Sequence, residues 1–107
     1  MENPIQLFNR MIAGDIITDL QGFIQRHSNT PQEWYVGLAS DAEEMLFNHH
    51  KVHRHIDSWI YRMADSSEVA RHAHDACLQW ECDGEKYPND FVGTFVYAYL
   101  KSVNTIP

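Results

Sequence analysis

A chain of 107 residues, 44% hydrophobic and 21% charged, has the size and composition of one globular domain, which excludes wholesale disorder. Fifteen carboxylates against eight Lys and Arg leave a formal net charge of −7, so the average field repels phosphate backbones. The charge therefore favours a protein partner or a small ligand, and leaves direct nucleic-acid contact to local basic patches such as Lys51, Arg54 and the neighbouring histidines.

The N-terminus, Met1-Glu2-Asn3-Pro4, carries no basic region followed by an apolar stretch, and no apolar run approaches the roughly 20 residues of a spanning helix. A cytoplasmic protein without a membrane partner is expected. Residues 6–26 read as an amphipathic helix, with Leu7, Phe8, Met11, Ile12, Ile16, Leu20, Phe23 and Ile24 at helical spacing. Gly14 can mark a break in it. Part of the apolar stripe can equally serve as a homodimer face. Ser28-Asn29-Thr30-Pro31 closes the element, because a proline disfavours helical geometry at its predecessor.

Glu33-Trp34-Tyr35-Val36-Gly37-Leu38, aromatic and β-branched, predicts a strand. Ser40-Asp41-Ala42-Glu43-Glu44 predicts a helix start, with Ser40 as cap and Glu43 as the capping-box acid; that helix runs through Met45, Leu46 and Phe47 to a His-rich end near Val52. Ser58 to Met63 reads as a second strand, Asp65 to Trp80 as a third capped helix, and Phe91 to Leu100 as a last strand buried on both faces. The fold class is thus α/β (α+β): a three-stranded sheet flanked by helices, in the order α-β-α-β-α-β, spanning 1–107 as one domain. Parallel, antiparallel and mixed pairings all remain open. Cys77 and Cys82 read as reduced thiols, since a continuous helix would turn them to different faces and a bridge requires a backbone bend.

Trp34-Tyr35-Val36-Gly37-Leu38-Ala39-Ser40-Asp41, followed by a capped helix ending in histidine, resembles the second half of the GIY-YIG nuclease signature. The resemblance covers residues 33–101 in element order, with a sharp part of about 17 residues. It implies a helix bearing a catalytic Arg, with a His or Tyr four residues later, and a further helix bearing the Glu that holds a divalent metal. Here the Arg position falls on Met45, the His position on His49 (with His50 as the alternative register), and the Glu position on His74. Glu68, at the start of the same helix, is the substitute if the register differs. No Gly-Ile-Tyr strand precedes Trp34, but Val96-Tyr97-Ala98-Tyr99 can fill its place from the C-terminus, as a permuted strand.

Phosphodiester cleavage in such a site needs a metal and a cation to stabilise developing charge. Met45 donates nothing, and His74 suits a transition metal better than Mg²⁺, which prefers oxygen. The resemblance therefore implies a degenerate domain that binds a protein or nucleoprotein partner, such as a phage-type inhibitor of a nucleic-acid-processing complex. Its binding residues would be the acids Asp41, Glu43, Glu44, Asp57, Asp65 and Glu68, joined by Asp83, Glu85 and Asp90; the bland reading of the helix-start acids is that they complement the helix dipole. Two alternatives stand beside it. One is a divergent metal-dependent nuclease using Tyr35, His49, His74 and Glu68; the other is a self-associating structural module. No cofactor is expected, and a divalent metal on His49, His53 and His74 is the alternative the histidines leave open, because His49 and His53 would share a helical face.

Overall fold

The computed structural model describes residues 10–88 and 91–107. Helix α1 (Ala13–His27) buries Ile16, Leu20 and Ile24, spaced at i, i+4 and i+8, each worth about 1.5–3 kcal/mol of burial. The expected start at residue 6 lies outside the described residues, among which residues 10–12 are not helical and the helix begins at Ala13. The reason is a competing pairing. Met11 bridges to Ala64, its N–H donating to Met63 O at 2.9 Å and its carbonyl accepting from Asp65 N at 2.9 Å, and this holds Ile12 extended. At the other end Ser28 N–H reaches back to Ile24 O, and the Trp34 indole N–H donates to Ser28 O at 3.0 Å.

Strand β1 (Trp34–Ala39) follows a short 3₁₀ turn, and β2 spans Trp59–Met63. Between them the expected second helix is a π-helix over Glu44–His49, ending at His49 rather than near Val52. Lys51, at φ 61°, turns the chain out of helical geometry at that point. Helix α2 (Ser67–Gln79) is capped by Ser66, whose side chain accepts from Val69 N. It ends in a Schellman cap, in which Cys82 N donates to Cys77 O and Glu81 N to Leu78 O, with Glu81 left-handed at φ 79°. That bend brings Cys77 and Cys82, both buried free thiols, to the two ends of one capping motif.

The sheet has four strands rather than three, in the order β2-β4-β1-β3. The additional strand, β3 (Asp83–Gly84), runs parallel to β1 because the Schellman cap aims the chain along it. β4 (Phe95–Leu100), shorter than the expected 91–100, runs antiparallel to both β1 and β2. The protein is mixed α+β. Side chains alternate across this sheet, so one face carries Trp34, Val36, Ile60, Val96 and Ala98 against α1 and α2. The opposite face carries Tyr35, Tyr97 and Tyr99 against Ala42, Leu46 and Val52. Among the described residues no helix is long and apolar enough to cross a membrane.

Candidate functional site

The second face of the sheet is an aromatic ladder. Register sets Tyr35 beside Tyr99 and Tyr99 beside Trp59, then Gly37 beside Tyr97 and Tyr97 beside Tyr61. Gly37 is in mid-strand and none of the described glycines has positive φ, so no left-handed turn calls for it. It is there because the Tyr97 ring lies across it: a Cβ at this position would sit 2.3 Å from ring atoms of Tyr97.

Two concavities open on this face. The first is a cleft of about 160 Å³ whose lining includes Tyr35, Met45, His49, His50, His74 and Tyr97. His50 is 2% exposed, with Nδ1 2.6 Å from Ile106 O and Nε2 2.7 Å from the Tyr97 hydroxyl. A carbonyl can only accept, so Nδ1 carries the proton, and the Tyr97 O–H donates to Nε2. Burial holds the imidazole's pKa below the ordinary value against the pull of the Ile106 carbonyl, so at neutral pH the ring is uncharged and this direction of the Tyr97 bond follows from that. Tyr99 O–H donates to the same carbonyl at 3.3 Å, and Ile106 N–H donates to His50 O at 2.8 Å, so the C-terminal segment is clasped to His50. Tyr35 stacks on Tyr99 with centroids 5.4 Å apart; burial, with Glu85 and Asp83 nearby, pushes its hydroxyl up to about 12.

His74 enters the cleft from α2 and is 1% exposed. Its Nδ1 is 3.2 Å from Asp75 Oδ1, Tyr87 meets its ring edge-on, and the Tyr87 O–H donates to Asp75 Oδ2 at 2.9 Å. Burial holds this imidazole low as well, against Asp75 and the backbone of Val36 and Glu85. His49 is exposed at the rim, its ring 4.9 Å from that of His50.

Tyr35, His49 and His74 thus share a cleft, and Met45 with them. Glu68 does not. It is exposed in the first turn of α2, six residues or about 9 Å of helix before His74. Glu85 lines the cleft instead. His53 lies past the end of the π-helix, so it shares no helical face with His49, and its backbone N–H is engaged by Asp57 Oδ2 at 2.7 Å. Among the described residues no three His, Cys, Asp or Glu side chains come together in a way that could hold a metal ion.

The second concavity, a recess of about 580 Å³, is lined by Asp41, Glu43 and Glu44 together with Phe47, Tyr61, Phe95 and Arg54. Asp41, one residue later than expected, supplies the helix cap by accepting from Glu44 N at 3.1 Å. Glu43 Oε2 accepts from Tyr61 O–H at 2.8 Å and its Oε1 from Arg54 at 3.1 Å, and these two bonds lower its pKa. The other acids named from sequence are elsewhere. Asp57 accepts from Ser102 and Asn104, tying its loop to the C-terminal segment; burial would raise its pKa, and these bonds with that from His53 N–H outweigh it. Asp65 and Glu68 are exposed at the start of α2, and Asp90 lies outside the described residues. Sequence reasoning did not reveal Arg54 as a recess residue or Ile106 as the partner of His50, since both depend on contacts between distant segments.

Comparison with known proteins finds no matching family, no matching curated protein and no matching solved structure.

Proposed function

We propose that this chain is a non-catalytic binding or regulatory protein on a degenerate GIY-YIG-like scaffold, acting on a protein or nucleoprotein partner. A phage-type inhibitor of a nucleic-acid-processing complex is one form this would take. The observation that carries the reading is convergence. Tyr35, Met45, His49 and His74, the positions given by the resemblance, come from β1, the π-helix and α2 and yet line one cleft. Where cutting requires a guanidinium and a carboxylate, that cleft offers the Met45 thioether and the buried, neutral His74. Tyr97, opposite Gly37 on an antiparallel neighbour of β1, agrees with a permuted tyrosine strand. The net charge of −7 adds to the case for a protein partner.

The divergent-nuclease reading draws on the same convergence, with Glu85 at the cleft in place of Glu68. One experiment decides between them. Labelled single- and double-stranded DNA and RNA are incubated with the protein and Mg²⁺, Mn²⁺ or EDTA, beside a folded His49→Ala/His74→Ala variant. No cleavage is expected. Metal-dependent cutting that the double variant abolishes would establish the cleft as an active site.

A further inference from the structure

The recess beside the cleft has a chemistry of its own. Its aromatic lining, Phe47, Tyr61 and Phe95, comes from three elements and is locked in place: Tyr61 meets Phe95 edge-on with centroids 5.7 Å apart, and Phe47 is backed by Trp59, edge-on at 5.0 Å, which does not itself line the recess. Such walls keep their shape without a ligand, which lowers the ordering cost of binding. The cavity already shows which group it suits. The Arg54 guanidinium lies 4.0 Å above the Phe47 ring, 5.9 Å from Trp59, and bonds to Glu43 Oε1 at 3.1 Å. Stacking on an aromatic face while pairing with a carboxylate is the preferred environment of a guanidinium.

One guanidinium does not saturate the recess. Three carboxylates line it against the single cation of Arg54, and about 580 Å³ remains open. Asp41 and Glu44 are held in place, Asp41 Oδ1 by Glu44 N and Glu44 Oε1 by Asn48. Among the described residues, Asp41 Oδ2 and Glu44 Oε2 make no hydrogen bond to protein. Phosphate-bearing ligands are repelled by this rim, whereas a basic protein surface is attracted to it.

We propose that the recess is an arginine-recognition site, which takes a guanidinium from a protein partner against Phe47 and the Asp41–Glu44 carboxylates in competition with Arg54. This deepens the binding-protein reading and rests on it. Lysine is the poorer occupant, since an ammonium is a more strongly hydrated point charge with no plane to stack. Arg54 acts as an internal placeholder. It keeps the rings and Glu43 engaged until a partner's side chain arrives, and it weakens that side chain's binding by competing with it.

The test titrates the full chain, labelled with ¹⁵N, with acetyl-Gly-Arg-Gly-amide and with the lysine and citrulline versions of that peptide. Shifts are expected at residues 41–48, at 59–61 and at the Trp59 indole N–H, strongest for arginine, weaker for lysine and absent for the neutral citrulline. Folded Phe47→Ala and Glu44→Gln variants should each weaken arginine binding by about tenfold, the scale of losing one charge-assisted or cation–π contact. Arg54→Gln should tighten it, whereas Arg26→Gln, which removes the same charge from α1, should not. Shifts scattered over the surface and equal for arginine and lysine would overturn the proposal, as would identical effects of Arg54→Gln and Arg26→Gln or no shifts at all. Failure here without nucleic-acid cleavage removes only the recess site. Cleavage in the nuclease assay removes the non-catalytic reading, whatever the peptide does.

Discussion

Gly37, Tyr97 and His50 form a chain of dependence in which each residue fixes the next. The Tyr97 ring can cross β1 only where the strand has no side chain, and its hydroxyl is then held 2.7 Å from His50 Nε2. A methyl group at Gly37 would meet the ring at 2.3 Å, and the hydrogen bond prevents the ring from swinging aside. Gly37→Ala is accordingly expected to lower the unfolding free energy by about 2 kcal/mol or more, the upper range for overpacking. Gly14, in the first turn of α1, should behave in the opposite way, because a methyl group there would find nothing within 4 Å. Gly14→Ala should stabilise by about 0.5–1 kcal/mol. Urea denaturation of both variants checks the pair, and a neutral Gly37→Ala would show that Tyr97 is free to move. None of this dependence is legible in sequence. A glycine between a β-branched residue and Leu38 carries the same local signal whether it serves a turn or a crossing ring.

Among the elements, legibility follows locality. The cap of α2 is readable because Ser66 and Val69 are three residues apart, and the structure has the Ser66 Oγ accepting from Val69 N at 3.2 Å. Ser66→Ala is expected to cost about 1 kcal/mol in thermal or urea unfolding; no loss would mean that water replaces the cap. The stripe of Ile16, Leu20 and Ile24 is readable for the same reason. The start of α1 is not, because Met11 is captured by the distant Met63 and Asp65 backbone. The π-helix differs from an α-helix by a small widening that side-chain types do not encode, and its cap on Asp41 is shifted by one residue accordingly. β3 is two residues long and owes its course to the left-handed Glu81, so no strand pattern announces it. For the candidate site, Tyr35, His49 and His74 are legible as residue types, while their meeting in one cleft, lined by Glu85 and not by Glu68, follows only from packing.

At the scale of the molecule, the two buried imidazoles set an acid limit on stability. His50 and His74 are both held below their ordinary pKa of 6.5, chiefly by burial. Near and below that pH the unfolded chain binds protons that the folded protein refuses, so stability is intact above about pH 7 and falls as pH drops. The slope is at most about 1.4 kcal/mol per pH unit for each histidine, until its folded pKa is reached. The urea midpoint should therefore decline between pH 7.5 and 5.5, well before the lowered carboxyls of Glu43 and Asp57 begin to titrate. His50→Gln should start less stable at pH 7.5 and show a shallower decline. A flat wild-type profile would mean that neither imidazole is kept neutral by the fold.

The strand order has a consequence for how the protein is made. Among the described strands, β1 and β2 each find their only full-length neighbour in β4, which follows the others in the chain. While the ribosome is still reading the codons before Phe95, the growing polypeptide lacks the strand against which both β1 and β2 pair along their length. Folding begins in earnest only once Phe95–Leu100 is free of the ribosome and slides between two strands made earlier. Until then Trp34, Val36 and Ile60 lack the Val96 and Ala98 neighbours that complete their side of the core. A message truncated ahead of that strand would yield no smaller version of this protein, only a chain with nothing to close it.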